Sequence, residues 1–176
     1  MLEFDAPLIE GRLISRYQRF FADVRLPDGQ VVTAHCANTG RMTGLLTPDA
    51  RVWIRTQPPG RKLAYAWELV ETPSGLACVN TARANPLVAG TALQRWLPGT
   101  TFVRREPRVG THRFDLELSR GDNPVYVEIK SVTLCDDSVG LFPDAPSERA
   151  VQHLHLLAEL AAGVVDTPVV LVGMHA

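Results

Sequence analysis

Six short β-type segments crowd into the first eighty residues, each closed off by turn-forming residues, and that spacing leaves few architectures open. The candidates are Leu13–Tyr17, Phe21–Leu26, Val31–His35, Arg51–Thr56, Tyr65–Glu71 and Leu76–Asn80. Pro27-Asp28-Gly29 and Pro73-Ser74-Gly75 supply hairpin turns between them. Five or six strands of this length suit a small barrel, and the five-stranded oligonucleotide-binding (OB) barrel is the commonest of that size. Arg12, Arg16 and Arg19 surround Tyr17 and Phe20. Cations interleaved with aromatics are what a single-stranded nucleic acid requires, for phosphate neutralisation and base stacking. Phe20, Phe21 and Trp53 are expected in the barrel core, while Tyr17 and the arginines are open to either role. The two-glycine loop Asn38-Thr39-Gly40-Arg41-Met42-Thr43-Gly44 is either an anion-binding nest of backbone donors or a plain turn. Its Arg41 joins the nucleic-acid-binding candidates.

The second half carries a different pattern. Residues 85–99 read as a helix with Pro86 near its start, Leu87, Leu93 and Leu97 on the buried side, and Pro98-Gly99 at its end. Phe114, Leu116 and Leu118 then alternate with Asp115 and Glu117, and Val125, Val127 and Ile129 alternate with Tyr126, Glu128 and Lys130. Ser119 to Pro124 lies between them as a dense turn signal. A turn centred between Gly121 and Asp122 sets Leu116 against Val127 and Phe114 against Ile129, apolar with apolar. It also sets Asp115 against Glu128, two carboxylates about 5 Å apart, which destabilises a strand pair unless a cation lies between them. A further helix is expected after Ser147 as N-cap, with Val151, Leu154, Leu157, Ala158 and Ala161 as its apolar stripe. Arg149 and His153, four apart, share a face of it, whereas His153 and His155 do not face one partner. Pro168 to Val172 forms a last strand. The order αββαβ is the core of the restriction-endonuclease-like nuclease fold.

Asp115 on one strand and Glu128-x-Lys130 on the next make a minimal kit for metal-dependent phosphodiester cleavage. The carboxylates, with the carbonyl of Ile129, suit a hard cation such as Mg²⁺ or Mn²⁺, and the lysine steadies the water or the developing charge. Arg149 is placed to grip a phosphate. A solvated hairpin accounts for the same residues. Only Lys62 and Lys130 are lysines among eighteen basic residues, which hints that position 130 needs a compact ammonium.

Charge and cysteine usage narrow the setting. A net charge of −1 excludes a strongly basic, histone-like binder. The balance is uneven: residues 81–113 carry six basic groups and one acid, while residues 114–176 carry three basic groups and ten acids. Arginines 104, 105, 108 and 113 therefore run directly into the segment with the carboxylates, as a phosphate clamp beside a metal site would, and as an ordinary surface would too. Cys36, Cys78 and Cys135 are odd in number and widely spaced, so neither a disulfide framework nor a zinc site is indicated. The N-terminus lacks the layout of a signal peptide, and Leu160 to Met174 is interrupted by Asp166 and Pro168. A cytoplasmic protein with no membrane partner is expected.

The chain resembles the sugar fermentation stimulation protein A family. Matching segments run from Arg16-Tyr17, Arg19-Phe20, His35-Cys36 and Asn38-Thr39-Gly40 through Met42-Thr43-Gly44, Trp67-Glu68-Leu69, Val79-Asn80-Thr81 and Ala84-Asn85. They continue with Glu128 to Leu134, Phe142-Pro143-Asp144-Ala145, Glu148-Arg149 and His153-Leu154. The resemblance implies an OB-like nucleic-acid-binding barrel over 1–82 and an α/β restriction-endonuclease-like, PD-(D/E)xK domain over 83–176. It implies DNA binding and a role in regulating sugar (maltose) metabolism genes; the residues read above as contacts are Arg12, Arg16, Tyr17, Arg19, Arg41, Arg104, Arg105 and Arg149, with single strands among the expected partners. Asp115, Glu128 and Lys130 match the catalytic positions of the nuclease pattern, and Glu106 sits where an upstream acid adds a metal ligand. A non-catalytic regulator that uses the nuclease frame as a scaffold is the alternative. Ala150 stands where the family has glycine, and Gln152 where it has lysine, which removes one phosphate contact. The chain stops at His175-Ala176 where similar proteins continue, so an apolar face left uncovered is expected to favour a homo-oligomer.

Overall fold

The computed structural model describes residues 4–110, 112–136, 139–142, 146–162 and 169–173. Two compact units emerge, one holding the chain up to Ala82 with the segment from Val132 to Ala145, the other holding Arg83–Ser131 and Pro146–Val172.

Six strands build the first unit: β1 (Leu8–Tyr17), β2 (Phe21–Arg25), β3 (Val31–His35), β4 (Arg51–Thr56), β5 (Tyr65–Thr72) and β6 (Gly75–Cys78). They are ordered β3-β2-β1-β4-β5-β6, and a parallel pairing of β3 with β5, Ala34 to Tyr65 and His35 to Ala66, closes the sheet on itself. Closure removes the exposed edges of five strands. The period of two then decides what fills the barrel. Ala22 and Val24 on β2, and Val52 and Ile54 on β4, point inward, so Phe21 and Trp53 between them do not. Neither these two rings nor Phe20 is buried, contrary to the expectation from their size; Phe20 is 46% exposed. The large core residue is Trp67, fully buried, with its indole N–H donated to the carbonyl of Leu69 at 2.9 Å. Arg51 instead lays its guanidinium over the outward ring of Trp53 at 5.1 Å.

Gly11 marks the tightest point of the barrel. A Cβ there would meet Val24 Cγ1 at 2.4 Å and the Arg25 carbonyl at 2.9 Å, so β1 passes β2 closely only because position 11 has no side chain. Gly11→Ala is therefore expected to cost about 1–3 kcal/mol by overpacking, read from the urea midpoint. An unchanged midpoint would show that β2 yields without strain.

In the second unit, helical turns run continuously over 81–96, with a π turn at Val88–Ala92 between α-helical stretches Ala84–Leu87 and Leu93–Trp96. The reason lies in the apolar spacing. Among the described side chains, Ala84, Val88, Leu93 and Leu97 are the buried positions, four, five and four apart. A five-residue step overshoots an α turn, and the wider π turn absorbs the extra residue. Val88 thus takes the buried place expected for Leu87. The sheet follows, ordered β14-β11-β10-β7 from β7 (Thr101–Arg105), β10 (Leu116–Arg120), β11 (Asn123–Val132) and β14 (Val169–Gly173). The two-residue strands β8 (Arg108–Val109) and β9 (His112–Arg113) pair beside it, and β12 (Leu134–Asp136) pairs with β13 (Val139–Leu141) as part of the first unit.

The register of β10 on β11 is the expected one: Leu116 opposes Val127, and Arg120 opposes Asn123 across a Gly121-Asp122 turn with Gly121 at φ 58°. The helix Glu148–Ala162 begins where Ser147 accepts the first helical bond, from Val151 N at 3.1 Å. Its stripe departs from expectation. Leu157 is buried, but Val151 and Leu154 are about half exposed and Ala158 is exposed, while the Ala161 side chain lies outside the described residues. Among the described residues no helix is long and apolar enough to cross a membrane.

Candidate functional site

Asp115 sits at a bend just before β10, where the strand alternation has not yet begun. Three backbone bonds fix the bend: Glu106 N to the Asp115 carbonyl at 3.0 Å, Asp115 N to the Val127 carbonyl at 3.1 Å, and Phe114 N to the Pro107 carbonyl at 3.0 Å. Phe114, fully buried, stacks on Tyr126 at 5.5 Å between centroids and anchors the segment from below. The carboxylate is then held at both oxygens. Asn85, on the helical run, donates to Oδ1 at 2.7 Å, and the backbone N–H of Ile129 on β11 donates to Oδ2 at 2.6 Å.

Burial of Asp115 pushes its pKa up, and the nearby charge of Glu128 pushes it further; the Ile129 N–H, the Asn85 amide and the Lys130 ammonium oppose the rise. Glu128 is itself only 3% exposed, and its Oε1 pairs with the Lys130 ammonium, whose side chain remains largely buried. Asp115, at the bend before β10, and Glu128 and Lys130, both on β11, therefore act on one another at one place. The side-chain ligand atoms there are oxygens, those of the Asp115 and Glu128 carboxylates. Carboxylate oxygens suit a hard divalent cation; the pKa of Asp115 is raised chiefly by its burial, with the Glu128 charge adding to the rise.

Two residues alter the expected composition of the site. Glu106 does not add a third carboxylate. Its side chain is 64% exposed and paired with Arg113 at 3.6 Å, and no cluster of three His, Cys, Asp or Glu side chains suited to a metal occurs among the described residues. What Glu106 contributes is its backbone N–H, from a residue held at φ 51°. Asn85 was not predicted. The only signal for it was membership in the Ala84-Asn85 pair that matches the family, because nothing local says that a helical amide will meet a carboxylate thirty residues on.

The candidate nucleic-acid contacts divide in a similar way. Arg16 is engaged in part by the protein itself. One of its guanidinium nitrogens donates to the carbonyls of Asn38, Gly40 and Arg19 at 2.8, 3.1 and 3.0 Å, so it clamps the 38–44 loop. That loop is an anchored turn, with the Asn38 side chain accepting from Gly40 N at 2.8 Å and Met42 buried at its centre. Arg12 reaches the Asp49 carbonyl at 3.2 Å, and Arg104 pairs with Glu117 at 2.7 Å, both on the exposed surface. Arg19, Arg41 and Arg105 are exposed, as is Tyr17, which stacks on Phe21 at 5.5 Å and donates to Asp23 at 3.3 Å. The side chains of Arg149 and His153 lie outside the described residues.

The model described as the SfsA N-terminal OB domain matches residues 14–79, and the one described as the sugar fermentation stimulation protein RE domain matches residues 82–176. The chain belongs to the sugar fermentation stimulation protein family. A family homolog from Azotobacter vinelandii is 50% identical over 177 aligned positions, covering 94% of this chain and 74% of that protein. Another, from Ectopseudomonas mendocina, is 48% identical over 91% of this chain and 72% of its own length. Among solved structures, Pyrococcus furiosus SfsA in complex with Ca²⁺ superposes with a TM-score of 0.86 at 26% identity, over 99% of this chain and 75% of that one. The barrel is thus the family's OB domain, followed by the family's α/β region.

Proposed function

We propose that this family member binds DNA and hydrolyses phosphodiesters at a divalent-cation site formed by Asp115, Glu128 and the Ile129 carbonyl. The carrying observation is the buried Asp115 carboxylate, fixed at both oxygens and raised in pKa beside Glu128. A buried carboxylate fixed at both oxygens beside a second buried carboxylate suits a cation, and the relative from Pyrococcus furiosus was solved with Ca²⁺. Mg²⁺ or Mn²⁺ in such a site polarises the phosphoryl group and makes water a better nucleophile. The protein's own groups do the rest. Asn85 and the Ile129 N–H orient Asp115, and the Lys130 ammonium, delivered by Glu128, stabilises charge developing on the phosphate. Exposed Arg105, Arg19 and Arg41, with Arg12 and Arg104, supply phosphate contacts.

The test is incubation of purified protein with single- and double-stranded DNA and with RNA, in Mg²⁺, Mn²⁺ or EDTA, beside Lys130→Ala. Metal-dependent cleavage is expected, reduced about 10²–10³-fold in the variant, as for removal of one charge-stabilising donor.

A second reading is favoured by one observation, the lack of a third metal-binding side chain among the described residues. In it the chain is a non-catalytic DNA-binding regulator of sugar (maltose) metabolism. Salt-sensitive, Mg²⁺-independent binding without cleavage by either protein would decide for it.

A further inference from the structure

A cleft of about 350 Å³ lies within the first unit, where β5 turns into β6. Its walls are that turn, the end of the 38–44 loop and the two residues that follow β11. Thr43, Thr72, Ser74 and Thr133 line it with hydroxyl-bearing side chains, and Leu45 and Leu134 with apolar ones. Among the described residues that line it, none is charged and none is aromatic. We infer that this cleft binds a small neutral carbohydrate, a single hexose ring. The inference goes beyond the phosphodiester reading and does not depend on it.

Thr133 carries the argument. It is 8% exposed, yet its hydroxyl has no hydrogen-bond partner among the described residues. Buried hydroxyls are normally paired with protein, water or ligand, because leaving one unpaired is costly. The opposite wall is polar in a complementary way. Thr72 gives its single hydroxyl proton to the Gly75 carbonyl at 2.8 Å, so the 3.1 Å bond between Thr72 and Ser74 is donated by Ser74. The Ser74 oxygen is thereby left as an acceptor, while the Thr133 hydroxyl can donate or accept. A ligand hydroxyl does both, and so answers both walls. Other ligand classes fit less well. A carboxylate or phosphate would bring a charge that no described lining side chain answers. A nucleobase would find no ring to stack on. A wholly apolar ligand would seal the hydroxyls away unpaired. A hexose places hydroxyls at its rim and C–H groups on its faces, which suits Leu45 and Leu134 beside the threonines and serine. The volume lies at the small end of ligand pockets, roughly 300–1,000 Å³, as one ring requires. The walls are also preformed. Leu45 N–H donates to the Met42 carbonyl at 3.0 Å, and Arg16 holds the loop at the Asn38 and Gly40 carbonyls, so little ordering is left for binding.

Saturation-transfer NMR on the full chain with D-glucose, D-galactose and D-mannose, and with glucose 6-phosphate as the charged counterpart, tests this. At least one of the neutral hexoses should bind wild type, and more tightly than glucose 6-phosphate. Thr133→Val removes the hydroxyl and keeps the side-chain shape, and should weaken that hexose about 3–10-fold, the worth of one neutral hydrogen bond. Ser74→Ala, at an exposed turn position, should weaken it by a similar factor. Melting curves are recorded alongside, and Ser74→Ala decides the matter if Thr133→Val does not fold. Binding of none of the three hexoses would overturn the inference. So would a hexose held equally well by the folded variants, which would place it elsewhere on the protein. Tighter binding of glucose 6-phosphate would overturn the assignment of a neutral ligand.

Discussion

Glu68→Ala should destabilise the barrel by about 3–5 kcal/mol, the range for removing one partner of a buried ion pair. The Glu68 side chain is fully buried and Arg55 nearly so, at 13% exposure, with Arg55 Nε 2.9 Å from Oε1. The other oxygen accepts from the Asn80 side chain at 2.9 Å, which ties β5 to the residues just beyond β6. Truncation leaves a desolvated guanidinium and a buried amide to find new partners, and Asp5, two-thirds exposed and 3.5 Å from Arg55, replaces only part of the loss. Glu68→Gln retains the shape and one acceptor and should cost less, about 1–3 kcal/mol. Urea denaturation followed by tryptophan fluorescence reads both, since Trp67 is buried next along the strand. A loss under about 1 kcal/mol in the alanine variant would mean that Arg55 reaches water readily and the pair is not buried in effect. Glu68 and Asn80 both belong to segments that carry the family resemblance. Their geometry gives those segments a physical meaning, namely the tie between β4, β5 and the chain that leaves β6.

The second large effect concerns Asp115, where stability, cation binding and pH are linked. Its pKa is raised in the folded protein, so the folded state holds the proton to higher pH than the unfolded chain does. Without a cation, this group's contribution to stability is fully present below the unfolded value of about 3.9 and is lost as pH rises through the folded value. A cation bound to the ionised carboxylate acts in the opposite sense and is effective only above that folded value. Wild type at neutral pH should therefore gain about 2.7 kcal/mol at a Mg²⁺ or Mn²⁺ concentration roughly 100 times the dissociation constant, and the gain should vanish on acidification. Asp115→Ala should show no cation-dependent gain at any pH and no cleavage. Thermal unfolding of both proteins across acidic to neutral pH, with and without the cation, checks this. An equal gain in the variant would place the cation elsewhere.

How far the sequence could be read depended on the kind of signal. Hairpin register was legible because three requirements agreed: the two-residue side-chain period, the Gly121-Asp122 turn, and matching of apolar positions across it. That register points Asp115 toward Glu128 and Lys130, but Asp115 lies at a bend just before β10, held by backbone bonds outside the strand pairing. The barrel strands were legible to within a few residues for the same reasons, although β1 begins at Leu8, five residues earlier than its apolar run suggests. Strand faces were misread where size was taken as the guide. Phe21 and Trp53 are large, but their neighbours Ala22, Val24, Val52 and Ile54 hold the inward positions, and alternation prevails over volume. The half-exposed Val151 and Leu154 show the same limit for a helix, since periodicity marks an apolar face without saying what covers it.

What the sequence by itself determined, then, is local order: strands, turns, the β10–β11 register and the family. These follow from backbone geometry and from spacing over a few residues. Tertiary structure alone decided which distant groups meet. It brought Asn85 to Asp115, committed Arg16 to the 38–44 loop, turned the Glu106 carboxylate toward Arg113, and set the Lys62 ammonium over the Phe21 ring. Each of these contacts joins segments whose approach is set by barrel closure or by sheet order. A polar side chain's partner is fixed by that approach and by the cost of leaving buried groups unsatisfied, neither of which is written in its neighbours along the chain.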